Sequence, residues 1–133
     1  MCFPLPDDLS LELGALFEPS GVAVHAIARA GNLDGYSVLI TGAGPIGLTV
    51  IQLAFVMGAT SVVALEPNPF RRKLAEARGA RAIDPLAPGF DLDGIVRKDY
   101  ARHGGFDAGF EISAAPGTIE THLRALRREA TLV

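Results

Sequence analysis

The glycine-rich segment at residues 40–59 restricts the fold of this chain more than any other part of the sequence. It reads ITGAGPIGLTVIQLAFVMGA and places Gly42, Gly44 and Gly47 within six residues, between two apolar stretches. The stretch before the glycines contains β-branched residues and predicts a strand. The stretch after them is apolar on almost every side and predicts a helix buried on more than one side. A strand that turns tightly into a buried helix is typical of a parallel sheet covered by helices.

The rest of the chain repeats this alternation of short strands and helices. Strands are predicted at 36–41, 61–66, 80–84 and 107–113 and from 130 onward, with helices at 45–58, between Asn68 and Gly79, at 91–101 and at 116–129. The pattern predicts an α/β fold, a Rossmann-type doubly wound parallel sheet of about five strands in the order 3-2-1-4-5, without the usual sixth strand. We therefore divide the chain into a helical lead-in at 1–31 and a nucleotide-binding domain at 32–133.

Composition restricts the partners and the compartment. The 133 residues are 49% hydrophobic, which suits one core, and the formal net charge of −3 predicts no nucleic-acid partner. Cys2 is the single cysteine, so it is expected to be a free thiol without a role. The apolar runs are shorter than a membrane span, and the first residues lack a signal-peptide pattern. We expect no membrane association and a cytoplasmic location.

The glycine turn predicts a site for a dinucleotide. Gly42 would allow the tight turn out of the strand, Gly44 would let a pyrophosphate approach the backbone, and Gly47 would let the helix pack close to the sheet. Pro45 and Ile46 belong to the first helical turn, where free N–H groups and a partial positive charge favour an anion. The alternative is a tight buried turn that binds nothing.

An acidic residue downstream strengthens the dinucleotide interpretation. Glu66 ends the second predicted strand, 19 residues after Gly47, where a carboxylate can accept hydrogen bonds from a ribose. Its charge would repel a 2′-phosphate, which favours NAD over NADP. Arg71, Arg72 and Lys73 could instead pair with such a phosphate, although Arg72 and Lys73 fit a solvated helix face.

Other polar residues allow weaker hypotheses. Glu18 precedes a proline and could be a metal ligand or a carboxylate facing water. His25 lies among aliphatic residues and is expected to be partly buried, whereas His103 and His122 are expected in a solvated loop and on a helix surface. Glu111 interrupts an apolar strand and could face a cavity or pair with an arginine. The sequence contains no catalytic-zinc spacing and no Tyr-x-x-x-Lys arrangement.

Over about residues 9–133 the chain resembles the medium-chain, zinc-dependent alcohol dehydrogenase superfamily, most closely its L-threonine 3-dehydrogenase and sorbitol dehydrogenase branch. The similarity lies in four collinear segments, EPSGVAVHAI, SVLITGAGPIGL, ALEPNPFRRKLAEARGA and GFDAGFEISAAPGTIETHLRAL. The resemblance implies the coenzyme domain of a larger enzyme, without the GroES-like catalytic domain. It also implies that the nicotinamide cofactor lies along the glycine turn, with Glu66 at the ribose, Arg71 near the adenosine and Ser113 close to the nicotinamide.

The resemblance further implies oxidation of a secondary alcohol by hydride transfer to NAD. Glu18 matches a glutamate of the family that can approach the catalytic zinc, but it cannot hold zinc alone, so zinc is expected only in a full-length parent. The isolated chain is predicted to be inactive. Two alternatives are a non-catalytic binding module that pairs with another chain, such as a second copy, through an exposed sheet edge, and an S-adenosylmethionine-dependent fold, against which the segment GAGPIG argues.

Overall fold

A five-stranded parallel sheet forms the centre of the computed structural model, which describes residues 4–100 and 104–133. Cys2 and His103 lie outside the described residues. The strands are β1 (Ser37–Thr41), β2 (Ser61–Leu65), β3 (Arg81–Ile83), β4 (Phe106–Glu111) and β5 (Leu126–Leu132). The helices are α1 (Leu11–Gly14), α2 (Phe17–Ala30), α3 (Pro45–Val56), α4 (Pro69–Glu76), α5 (Leu92–Asp99) and α6 (Thr118–Ala125).

The strand order is β3-β2-β1-β4-β5, which confirms the predicted doubly wound α/β topology. β1 lies at the centre, where Leu39 pairs with Val63 of β2 on one side and with Gly109 of β4 on the other. All strand pairs are parallel. The direction in which strands are added reverses between β1 and β4, so the connections that follow these two strands lead to opposite faces of the sheet and leave a crevice at their carboxyl ends.

Helices cover both faces of the sheet. On one face, α2 and α3 pack together, and Ala23 and Ile27 of α2 join the same buried cluster as Val38 and Ile40 of β1. On the other face, Leu92 of α5 belongs to a second buried cluster formed with β1, β2 and β4, to which the α6–β5 junction also contributes. β1 is therefore buried along its whole length, which is why its sequence is a continuous apolar run.

The boundary between α6 and β5 corrects the prediction of a helix through residue 129. α6 ends at Ala125, and Leu126 already has an extended backbone and pairs with Phe106. Residues 126–129, the end of the predicted helix, are instead the first half of β5. Pairing with β4, reinforced by the 2.9 Å bond from Arg127 Nε to Asp107 Oδ1, outweighs the favourable helix propensity of leucine, arginine and glutamate.

Two further expectations about exposure can be checked on the helices. His25 is exposed rather than partly buried, because it lies on the outer side of α2, away from Ala23 and Ile27. Lys73 is exposed on α4, as expected. In the part of the chain that the structure describes, no helix has the length and apolar character needed to cross a membrane.

Candidate functional site: a cleft at the carboxyl ends of the strands

A cleft of about 510 Å³ lies where β1, β2 and β4 end. It is lined by the β1–α3 turn, the end of β2, the start of α4 and the segment from β4 to α6. The predicted site residues Gly42, Gly44, Glu66, Arg71 and Ser113 all line it. The structure thus brings together five predicted residues that are up to 71 positions apart in the sequence.

The three glycines of the turn have different physical roles. Gly42 has a φ of +91°, which favours glycine, and a Cβ there would approach Ser113 to 3.2 Å. A Cβ at Gly47 would overlap the carbonyl oxygen of Gly42. Gly44 has ordinary angles (φ −71°, ψ −172°), and a Cβ there would meet no atom within 4 Å. The first and third glycines therefore build the turn, and Gly44 leaves open space above it.

The first turn of α3 borders this open space. Gly44 is the N-cap and no side chain caps the helix, while Pro45 occupies a first-turn position. Ile46 follows in the same turn, and the first bond within the helix is from the Leu48 amide to the Gly44 carbonyl, at 2.8 Å. Free first-turn N–H groups and the positive end of the helix dipole suit an anion.

Glu66 lies directly after β2 and is only 3% exposed. Its Oε2 accepts the Ala43 amide and its Oε1 accepts the Asn68 amide, both at 2.8 Å. The carboxylate therefore ties the glycine turn to the start of α4. Because a carboxylate has about four acceptor positions, it retains capacity for a ligand hydroxyl on the side that faces the cleft.

The two arginines after Glu66 differ. The Arg71 side chain is 52% exposed at the cleft, with Nη1 4.0 Å from Glu66 Oε2. Arg72 was expected on a solvated face, but its Nη1 donates to the carbonyls of Glu66 and Pro67 and lies 3.2 Å from Asp84 Oδ2. Arg72 therefore joins the ends of β2 and β3, and Arg71 is the arginine of the pair that borders the cleft.

Glu111 organises the loop between β4 and α6, residues 112–117, here called the β4–α6 loop. Its Oε1 lies within hydrogen-bonding distance of four donors, Ser113 N–H (2.9 Å), Ser113 Oγ (2.6 Å), Ala114 N–H (3.1 Å) and Thr118 Oγ1 (3.1 Å). Burial acts to raise the pKa of Glu111, but the bonds from Ser113, Thr118 and Ala114 lower it overall. No arginine of residues 4–100 or 104–133 pairs with Glu111, so its carboxylate stabilises the β4–α6 loop through hydrogen bonds and does not form an ion pair with arginine there.

His122 is fully buried, which corrects the expectation that it lies on the surface. α6 turns it toward the sheet, where its Nε2 is 3.1 Å from Thr41 Oγ1. Burial lowers its pKa to about 4, although the nearby charge of Glu111 acts in the opposite direction. The sequence signal for this position is Gly109 in an otherwise apolar strand, because a strand glycine often marks the close approach of another group.

Glu18 does not lie in a metal centre built from the described residues. Its side chain is exposed in the first turn of α2. Among residues 4–100 and 104–133, no three His, Cys, Asp or Glu side chains lie close enough together to hold a metal ion. The described residues therefore do not fit a zinc site, and we derive no chemical step through zinc.

Known proteins are similar to this chain in sequence and in fold. Residues 45–133 match the model of the zinc-binding dehydrogenase family. L-threonine 3-dehydrogenase of Chromobacterium violaceum is 40% identical over 125 residues, covering 93% of this chain and 36% of that protein. (R,R)-butanediol dehydrogenase of Bacillus subtilis is 40% identical over 117 residues, covering 87% of this chain and 33% of that protein. The crystal structure of a putative zinc-binding dehydrogenase of Sinorhizobium meliloti, bound to NADP, matches with a TM-score of 0.87 and 33% identity. The match covers 98% of this chain and 38% of that one.

The chain belongs to the zinc-binding dehydrogenase family. It corresponds to the nicotinamide-nucleotide-binding part of such enzymes, and it spans about a third of the length of the relatives described above, 33–38% of each. The resemblance to the threonine dehydrogenase-like branch of the alcohol dehydrogenases is thereby confirmed.

Proposed function

We propose that this chain binds NAD in the cleft, with the pyrophosphate over Gly44 at the start of α3. The observation that carries this proposal is the unobstructed backbone at Gly44, beside a helix terminus that no side chain caps. Glu66 accepts ribose hydroxyls, Arg71 borders the adenosine, and Ser113 borders the nicotinamide. Pro45, Ile46 and Gly47 provide the helical turn beneath the pyrophosphate.

Glu66 supports NAD rather than NADP as the preferred cofactor. Its buried carboxylate would face the 2′-position of the ribose, and a phosphate there would bring two negative groups together. Arg71 is the opposing influence, because its exposed guanidinium could pair with a phosphate. We expect the repulsion between Glu66 and a 2′-phosphate to outweigh the attraction of Arg71, since the Glu66 carboxylate is held in place by two backbone amides.

The parent protein is proposed to oxidise a secondary alcohol of the threonine or polyol type. Bound NAD would accept the hydride, and this chain would hold and orient the cofactor. Glu18 remains a proposed zinc neighbour only in a protein that supplies further ligands. The chain alone is expected to be inactive, because the described residues contribute a cofactor cleft without a metal site.

Titration of the purified chain with NADH and NADPH, followed by nicotinamide fluorescence and melting temperature, tests the proposal. We expect NADH to bind more tightly than NADPH. Gly44→Val should weaken NADH binding at least about ten-fold, since the new side chain would occupy the pyrophosphate position. The same variant should keep its melting temperature, because the space at Gly44 is open.

Gly21→Val is the matched control, since Gly21 lies on α2 and also has no neighbour within 4 Å of a new Cβ. It should bind NADH as the unmodified chain does. Glu66→Ala should weaken NADH binding and also lower stability, because it leaves two amides without their acceptor. Absence of NADH binding at millimolar concentration, or equal binding by Gly44→Val, would refute the proposal.

Two finer expectations stay proposals. β5 pairs with β4 and has no second partner strand in the sheet that the structure describes, so its outer edge could join a second copy of the chain. Light scattering across a range of concentrations tests for such a homo-oligomer. The cytoplasmic location expected from composition also stays a prediction, which microscopy of a tagged chain would test.

A further inference from the structure

A line of polar side chains crosses the sheet from its buried interior to the cleft. It starts at His122 Nε2, which lies 3.1 Å from Thr41 Oγ1. Thr41 Oγ1 in turn lies 3.3 Å from Glu111 Oε1, the atom that gathers the bonds of the β4–α6 loop. His122 and Thr41 are 0% and 2% exposed, so neither is hydrated from outside.

The chemistry of the three groups determines the direction of the hydrogen bonds. Glu111 is ionised at neutral pH and can only accept. Thr41 Oγ1 lies beside two acceptors, Glu111 Oε1 at 3.3 Å and the carbonyl oxygen of Phe110 at 3.5 Å. Its one hydroxyl hydrogen, donated to either of them, leaves Thr41 able only to accept from the imidazole, and this arrangement favours a proton on His122 Nε2. If the proton were on Nδ1, Nε2 and Glu111 would compete for the same Thr41 hydrogen.

The surroundings of the other ring nitrogen agree with this tautomer. His122 Nδ1 is buried and has no hydrogen-bond partner among the described residues. It lies against Gly109, where a Cβ would approach Nδ1 to 2.6 Å. A bare acceptor nitrogen in this place costs less than an N–H donor without a partner, because unsatisfied buried N–H groups are the rarer case.

The loop at the far end needs this carboxylate. Ala114 has a φ of +52°, an unfavourable backbone conformation for a residue other than glycine, and its amide donates to Glu111. Ser113, Ala115, Pro116 and Gly117 of the β4–α6 loop line the cleft. The loop therefore reaches the cleft in a conformation that is stabilised from behind by Glu111.

We propose that His122, Thr41 and Glu111 are positioning residues, which form a hydrogen-bond chain of fixed direction from the His122 Nε2–H group to the β4–α6 loop and so shape the cleft for the cofactor. The effect on cofactor affinity rests on the proposed binding of NAD. The direction of the hydrogen-bond chain and its stabilisation of the β4–α6 loop do not depend on NAD binding, so these properties and the effect on cofactor affinity can be tested separately.

The test compares Thr41→Val with Thr41→Ser. Valine keeps the shape of threonine and removes the hydroxyl, while serine keeps the hydroxyl. Nitrogen-15 NMR of labelled histidine reports which ring nitrogen is protonated, and the His122 signals are identified by their loss in His122→Gln. Amide hydrogen exchange at Ser113 and Ala114 reports how firmly the loop is held.

In the unmodified chain we expect a proton on His122 Nε2 and none on Nδ1. Thr41→Val should speed amide exchange at Ser113 and Ala114 by about ten-fold, the effect of losing one good hydrogen bond, and should weaken NADH binding about three- to ten-fold. Thr41→Ser should keep both the amide exchange rates and the NADH affinity within about two-fold of the unmodified chain, which corresponds to a few tenths of a kcal/mol.

A proton on Nδ1 in the unmodified chain, or unchanged loop exchange in Thr41→Val, would overturn the proposal. Changed exchange with unchanged NADH affinity would overturn its link to the cleft. If the unmodified chain fails to bind NADH while the tautomer and the exchange data agree with expectation, the proposed function is wrong and the hydrogen-bond chain stands.

Discussion

We expect His122 to make the stability of this chain depend on pH between its unfolded and folded pKa values. In the unfolded chain the imidazole has its ordinary pKa of 6.5, and burial lowers the pKa to about 4 in the folded chain. At a pH between these two pKa values, His122 is protonated in the unfolded chain and neutral in the folded chain. Stability is therefore fully present above the higher value and is lost as the pH falls through the window.

The size of the effect follows from the difference in pKa. A shift from 6.5 to about 4 corresponds to a limit of about 3 kcal/mol in the free energy of unfolding, at 1.36 kcal/mol per unit. Between pH 7 and pH 5 the linkage relation gives a loss of about 2 kcal/mol from this one group. Such a loss is a large fraction of the stability of an ordinary domain, which is about 5–15 kcal/mol.

Urea unfolding at pH 7 and at pH 5, followed by circular dichroism, measures this loss. His122→Gln keeps a donor near the Nε2 position and does not titrate, so its loss between the two pH values should be smaller by about 2 kcal/mol. His25→Gln removes an exposed imidazole as a matched control and should behave like the unmodified chain. Equal losses in His122→Gln and the unmodified chain would refute the reasoning.

Two further substitutions test the packing around the site. Gly47→Ala should lower the free energy of unfolding by about 1–3 kcal/mol or more, because its Cβ would overlap the Gly42 carbonyl. Gly21→Ala, in the open part of α2, should instead raise the free energy of unfolding by about 0.5–1 kcal/mol. Equal effects of the two substitutions in thermal melts would contradict this explanation. Asp107→Ala should cost about 1–3 kcal/mol in urea unfolding, because it leaves the buried Ser37 amide, now 2.8 Å from Asp107 Oδ2, without an acceptor. Asp93→Ala breaks an exposed ion pair, in which the Asp93 side chain is 41% and the Arg124 side chain 66% exposed, and should cost less than about 1 kcal/mol, so similar losses would show that burial does not set the difference.

The parts of the fold that sequence predicts well are those encoded by neighbouring residues. The glycine turn, the two apolar segments around it and the cap at Asn68 each depend on contacts within a few positions. The alternation of these units then restricts the sheet order through the right-handed crossover rule. The cleft follows from that order, because Glu66 and Ser113 lie just beyond the ends of the strands on either side of β1.

The parts that sequence predicts poorly depend on distant partners. The sequence predicts a helix through residue 129, but residues 126–129 pair with β4, and Arg127 bonds Asp107, 20 positions away. The sequence predicts His122 on the surface because polar residues usually lie on the exposed side of a helix. α6 does the opposite: it exposes Ile119 and Leu123 and buries the histidine. Only the partners of His122 on β1 and β4 explain why it points inward.

The open backbone at Gly44 also bears on how this site would respond to mutational scanning. In the proposed binding mode the pyrophosphate would contact mainly backbone atoms, and the lack of a side chain at Gly44 would leave the room for it. An alanine scan would register Gly42 and Gly47 through lost stability and Glu66 and Arg71 through lost side chains, but it would miss Gly44, where a Cβ meets no atom within 4 Å. A scan that adds bulk, with valine or leucine at successive positions, would outline the cleft by the positions that lose cofactor without losing the fold.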